Sequence, residues 1–320
     1  MVGTTLKFSR RCLIASALFA LALLLTTGSR LGRAYANDYR FLTNGGPRVH
    51  AVAGSLPGES PTRLRIDLES TWGYTVDGGP TGEAPIPSAY DFSGRVAFQR
   101  TFQVPADAVS KYQFHLVALG INQNAEITIN NDFITNHSGG YTTIDQTVPT
   151  NCIQAGQQNV LRVVVNNTLD YRRGFPLRPL PWMPRNFGGV LRDIYLIGTP
   201  PVHIGQAAVS TDYDTRTAVA RMHVRVGIVR GEAPGGQAQG PVSGPLACAA
   251  ELVDKISGIS VGRSTVQTVS LGDSVTTLEL QVQNPKLWSP EGPELYLLRC
   301  YLSRADTKEG GALDEYDVSC

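Results

Sequence analysis

The sequence has 320 residues, with 28 Lys plus Arg against 27 Asp plus Glu. Five of the basic residues and none of the acidic ones fall in the first 36 positions, so the rest of the chain carries a net charge of about −4 with His neutral. No run of Lys or Arg lies beyond those positions, which leaves no electrostatic footprint for nucleic acid or an anionic membrane surface.

Lys7, Arg10 and Arg11 precede an apolar run from Leu13 to Leu25, and Ala34-Tyr35-Ala36 forms a small-x-small cleavage site. This is the order of a secretory signal peptide. This run of thirteen residues is too short to cross roughly 30 Å of hydrocarbon as a helix. Ser9-Arg10-Arg11 leaves Sec and twin-arginine export both open. The expectation is an exported chain, periplasmic or secreted, that starts near residue 37 and keeps no membrane attachment after cleavage. The remainder suffices for two domains of about 100–200 residues each.

Beyond the leader, period-two alternation dominates. Ala125, Ile127 and Ile129 share one face while Glu126 and Thr128 take the other. Leu161, Val163 and Val165 repeat the pattern, as do Met222, Val224, Val226 and Ile228, and then Leu278, Leu280 and Val282. Such alternation predicts half-buried strands of antiparallel sheets. Frequent Gly and Pro, 33 and 20 of them, mark many turns. Asn130-Asn131 follows an alternating strand, and Asn tolerates positive φ well enough to close a tight hairpin. No segment after residue 36 shows a helical stripe longer than two turns. The predicted class is all-β.

Pro200-Pro201 divides the chain, because consecutive prolines lack backbone donors and cannot continue a central strand. Residues 37–200 then read as a jelly-roll sandwich, and residues 201–320, with seven or so strands, as an immunoglobulin-like sandwich. Gly231 to Pro245 is rich in Gly and Pro and poor in apolar bulk, which predicts a long hairpin loop.

Five motifs occur in an order that resembles family 2 glycoside hydrolases of the β-galactosidase and β-glucuronidase kind. They are AFQRTFQVP (Ala97 to Pro105), AEITINNDFITNHSGGYTTID (Ala125 to Asp145), GQQNVLRVVVNN (Gly156 to Asn167), NFGGVLRDIYLIGTP (Asn186 to Pro200) and NPKLWSPEGPELYLLRCYL (Asn284 to Leu302). The resemblance covers nearly all of the chain after the leader. It implies a sugar-binding jelly roll followed by an immunoglobulin-like domain, with the catalytic (β/α)₈ barrel of that family not represented. The LWSPEGPELY segment also suggests a strand end anchored by a buried Trp288 indole.

The segment with the strongest functional content is Tyr171 to Phe187, YRRGFPLRPLPWMPRNF. Prolines stiffen it, and Arg, Asn and Trp are types that bind sugar hydroxyls and stack on pyranose faces. In the family the corresponding loop lines the substrate pocket, so the resemblance marks Trp182, Arg185 and Asn186 as substrate-binding candidates. Asn186 matches an asparagine of the glucuronidase-like members. The aspartate that bacterial β-galactosidases carry slightly upstream is not evident, and Met183 lies near that place.

Retaining glycosidases need two carboxylates about 5–5.5 Å apart. In this family both are glutamates, and the acid/base follows an asparagine. The dipeptide Asn-Glu occurs nowhere in the sequence. Asp91, Asp145 and Glu291 fit solvated or turn-capping roles better than catalysis. The five histidines, His50, His115, His137, His203 and His223, show no H-x-x-x-H or H-E-x-x-H spacing. His223 alternates onto a polar strand face with Arg221 and Arg225. No cofactor or metal is expected, and the partner is a carbohydrate with a terminal β-linked sugar. Two readings follow. The first is the non-catalytic front part of an exported β-glycosidase. The second is a stand-alone exported carbohydrate-binding protein using Tyr141, Trp182 and Phe187.

Four cysteines lie beyond the leader. Leu246, Cys248, Ala250 and Leu252 share a face, as do Tyr296, Leu298, Cys300 and Leu302, so Cys248 and Cys300 both face the second core. Either they form a disulfide across the sandwich, as in antibody domains, or they are two buried free thiols.

Overall fold

The structure is a computed structural model and describes residues 41–43, 60–168, 186–231, 244–306 and 311–320. The leader, the interior of the Gly231–Pro245 loop and residues 171–185 lie outside the described residues. Residues 41–320 form one compact unit. Its described part is antiparallel β-structure with one four-residue helix, α1 (Ala108–Lys111). The strands are numbered β1 to β22 in chain order.

Three sheets come from residues before Pro200 and make the jelly roll. One runs β1 (Phe41–Thr43), β5 (Ser88–Tyr90), β13 (Gly188–Val190), β8 (Ile121–Asn122). The six-stranded sheet runs β10 (Asp132–Ser138), β9 (Asn124–Ile129), β12 (Gln158–Asn166), β6 (Arg95–Gln103), β3 (Ser70–Val76), β4 (Thr81–Ile86). The third runs β11 (Ile144–Val148), β7 (Gln113–Ala118), β14 (Ile194–Thr199), β2 (Leu64–Asp67).

Two sheets come from residues after Pro201 and make the immunoglobulin-like sandwich. One runs β15 (Val202–Asp214), β16 (Val219–Arg230), β20 (Val275–Gln283). The other runs β18 (Ser260–Arg263), β17 (Leu246–Asp254), β21 (Tyr296–Arg304), β22 (Asp314–Ser319), with β19 (Gln267–Val269) also on β17. Among the described strands, no sheet mixes residues from the two sides of Pro200-Pro201.

The alternation of the sequence becomes the two cores. Ile127, Ile129, Leu161, Val163 and Val165 are fully buried with Trp72, Phe98 and Leu116. In the second sandwich Met222, Val224, Val226, Ile228, Leu278, Leu280 and Val282 pack with Leu298 and Leu302. Each such side chain contributes about 1.5–3 kcal/mol on leaving water. Asn130 and Asn131 have φ of 52° and 71° and close the β9–β10 hairpin, as the sequence predicts. The Asn130 side chain also donates to Cys152 O at 2.9 Å and accepts from Val160 N–H at 2.8 Å.

One buried ion pair joins the two sandwiches. Arg63, just before β2, donates Nε to Asp314 Oδ1 at 2.9 Å and Nη2 to Asp314 Oδ2 at 2.6 Å. Nη2 also reaches Ile204 O at 2.5 Å, and Ile204 N–H donates to Asp314 Oδ2 at 2.7 Å. Thr62 Oγ1 donates to the same carboxylate and accepts from Glu315 N–H. The guanidinium lies 4.7 Å from the Tyr316 ring centroid. Asp314 is wholly buried and Arg63 nearly so, so each charge depends on the other to remain out of water.

Two histidines meet beside this pair. His203 of β15 is buried and donates Nδ1–H to Pro200 O at 2.8 Å. Its ring lies edge-on to His115 of β7, with centroids 6.4 Å apart. Burial, reinforced by the Arg63 charge, pushes the His203 pKa below its ordinary value against the Pro200 hydrogen bond, which favours the charged form. The folded state therefore holds His203 neutral after the unfolded chain has begun to protonate near pH 6.5, so stability is lost as pH falls through that value. We expect the melting temperature to drop between about pH 7.5 and 5.5, and His203→Phe to remove most of that drop in parallel calorimetric scans.

Candidate functional site

Residues 169–185 lie outside the described residues, and the chain is described up to Thr168 and again from Asn186. Both ends are fixed by carboxamides. Asn167, 1% exposed, donates Nδ2 to Phe92 O at 2.8 Å and to Asn186 O at 2.9 Å, and accepts from Gly94 N–H at 2.9 Å. Asn186 replies, donating Nδ2 to Asn167 O at 2.6 Å and to Gln123 Oε1 at 3.4 Å. Its Oδ1 accepts from Asn122 Nδ2 at 3.4 Å, and that same amide donates to Phe187 O. Asn122, Gln123, Asn167 and Asn186 thus form a closed network in which each end of the loop holds the other.

Gly139-Gly140 and Gly188-Gly189 make room for it. A side chain at Gly188 would run into the ring of Tyr90, which is fully buried, and one at Gly189 into Ser88 O. Gly189 also has φ +138°, a conformation open to glycine. A Cβ on Gly140 would come 2.5 Å from Asn122 Oδ1. Glycine at 140, 188 and 189 therefore lets three chain segments close around Asn122. Tyr90 OH donates within this floor toward Val165 O and Gly94 O, each at 3.2 Å. Burial raises its pKa far above the ordinary phenol value.

Chemically, the network can position but not transfer protons, since its four members are carboxamides. The Asn186 side-chain amide is engaged with Gln123, Asn122 and Asn167. Trp182 and Arg185 lie outside the described residues. Asn122, Gln123 and Asn167 were not singled out by the sequence, because a buried asparagine declares itself only through partners distant in the chain. Tyr141 is 96% exposed. Asp145 Oδ1 accepts from His115 Nδ1–H at 3.0 Å, with its own side chain 63% exposed.

Two sequence expectations need correction. Trp288 is 61% exposed rather than buried. The β20–β21 connection is held by its backbone and by Tyr296 OH, which accepts from Lys286 N–H at 2.7 Å, so the indole is not its anchor. Cys248 and Cys300 are buried free thiols. Cys248 pairs with Leu302 and Cys300 with Ala250 in adjacent strands of one sheet, not across the sandwich. Diagonal neighbours of this kind lie about 7–8 Å apart, beyond ordinary disulfide reach. Burial pushes both thiols up to about 12, so they stay protonated.

Residues 202–318 match the model for glycosyl hydrolases family 2. That stretch is similar to a module of family 2 glycoside hydrolases. Rat (Rattus norvegicus) β-glucuronidase is 23% identical over 230 residues, covering 55% of this chain and 35% of that protein. The β-D-glucuronidase of Dictyoglomus thermophilum matches with a TM-score of 0.62 at 22% identity, over 82% of this chain and 44% of that one. A Ruminococcus gnavus β-glucuronidase in complex with D-glucuronic acid matches with a TM-score of 0.63 at 20% identity, over 82% and 46%. The chain therefore spans about a third of the length of the curated relative, 35%, and the structural likeness reaches well past the family 2 module into the jelly roll.

The asparagine network yields a direct expectation. Asn167→Ala removes the hydrogen bonds to Phe92 O and Asn186 O and from Gly94 N–H, at a cost of about 1–3 kcal/mol. We expect a lower melting temperature and faster protease cleavage between residues 169 and 185. Asn166→Ala, on the same strand end, should leave both close to wild type.

Proposed function

We propose that this chain is the non-catalytic front part of an exported family 2 β-glycosidase, serving to present the 169–185 loop to a substrate pocket. The family match over residues 202–318, continuous in one compact unit with the jelly roll, is the observation that carries this reading. In such an enzyme the terminal β-linked sugar is released with retention by two carboxylates of a barrel. The part played here is positional. Asn167 and Asn186 hold the loop ends, which lowers the entropy lost when Trp182 and Arg185 engage a sugar. The leader directs export, and the front part works outside the cytoplasm.

The reading is tested by purifying residues 37–320 and assaying aryl β-glucuronides, β-galactosides and β-mannosides. We expect no turnover above a mock preparation, since a chain without the carboxylate pair forfeits many orders of magnitude in rate. Hydrolysis that disappears on substituting one carboxylate of this chain would overturn it.

A further inference from the structure

A cleft of about 750 Å³ opens on the six-stranded sheet and includes none of the asparagine network. Its volume lies within the roughly 300–1,000 Å³ usual for small-ligand sites. Thr71, Gly73 and Thr75 of β3 alternate with the buried Trp72 and Val76, so they belong to the face turned away from the core. On that face Gly73 lies opposite Gln99, and Gln99 lies opposite Arg162. Thr75 lies opposite Ala97. The small residues Gly73 and Ala97 form the floor, and longer polar side chains stand around it.

Gly73 is informative because nothing local demands it. Its φ is not in the left-handed region, and an added Cβ would meet only Gln99 O, at an ordinary 3.8 Å. A glycine in a strand interior costs stability, and one without a packing reason marks a place where something approaches closely. The charges are one-sided. Arg100 and Arg162 line the cleft and no carboxylate does. Arg100 is anchored through Nη1 to Leu68 O at 3.0 Å and to Ser70 Oγ. The Arg162 side chain has no hydrogen-bond or ion-pair partner among the described residues. Glu83, opposite Gly73 on β4, stands one strand out at the rim and is exposed.

We propose that this cleft binds an acidic oligosaccharide. The carboxylate of one sugar takes the forked donors of Arg162. Ring hydroxyls of that sugar and its neighbour exchange hydrogen bonds with Thr71, Thr75, Gln99 and Thr101 over the open floor at Gly73. The site is separate from the loop at residues 169–185 and does not depend on the glycosidase reading, so failure of either leaves the other standing.

The test is calorimetric titration of the full chain with tetragalacturonate and, as the uncharged counterpart, cellotetraose. Tetragalacturonate should bind at least about ten-fold more tightly, a difference of about 1.4 kcal/mol. Gly73→Val fills the floor with a residue that strands favour, so it should weaken tetragalacturonate at least ten-fold while the melting temperature holds. Arg162→Gln should do the same, and Glu83→Gln should tighten binding by removing the rim carboxylate. Equal binding of the two sugars, no binding of tetragalacturonate at millimolar concentration, or unchanged affinity in both Gly73→Val and Arg162→Gln would overturn the proposal.

Discussion

A buried guanidinium and a buried carboxylate decide how this chain behaves as a whole. Each sandwich has its own apolar core, and Pro200-Pro201 stops any strand from running through both. Arg63 and Asp314 supply the connection that the sheets do not, spanning 251 positions of sequence. A buried pair is weak evidence of net stability, because desolvation offsets much of the attraction. Its effect here is geometric. The carboxylate accepts from Arg63, Thr62 and Ile204 N–H together, which fixes the start of β22 and the start of β15 against the edge of the jelly roll.

That fixed relation matters for the loop at residues 169–185. A loop that is to meet a sugar must be held by its surroundings, since misplacement by about 1 Å weakens a designed contact severely. The network holds Asn167 and Asn186 to each other, to β8 and to the β5–β6 connection, and the Arg63–Asp314 pair holds the jelly roll to residues 202–318. Together they fix Asn167 and Asn186 relative to residues 202–318 without any strand crossing between them.

Much of this was legible in the sequence, for physical reasons that can be named. The strands of both cores follow from alternation alone, because a half-buried strand shows its two faces every second residue. The Asn130-Asn131 turn followed from the tolerance of asparagine for positive φ. The pairing of Cys248 and Cys300 was not legible, since alternation gives the face of a residue but not which strand lies beside it. Burial of Trp288 was inferred from residue type, and large aromatics at strand ends do not always find a wall. Arg63 and Asp314 were invisible for a similar reason. Neither sits in a motif, and a buried charge is recognised only through its partner.

The Arg63–Asp314 pair makes the two sandwiches unfold as one. Differential scanning calorimetry of residues 37–320 tests it, alone and with Asp314→Ala. Removing one partner of a buried pair costs about 3–5 kcal/mol. Wild type should give a single transition with matching calorimetric and van't Hoff enthalpies, and Asp314→Ala should split it in two. Two transitions in wild type, or a single unshifted transition in the variant, would contradict the account.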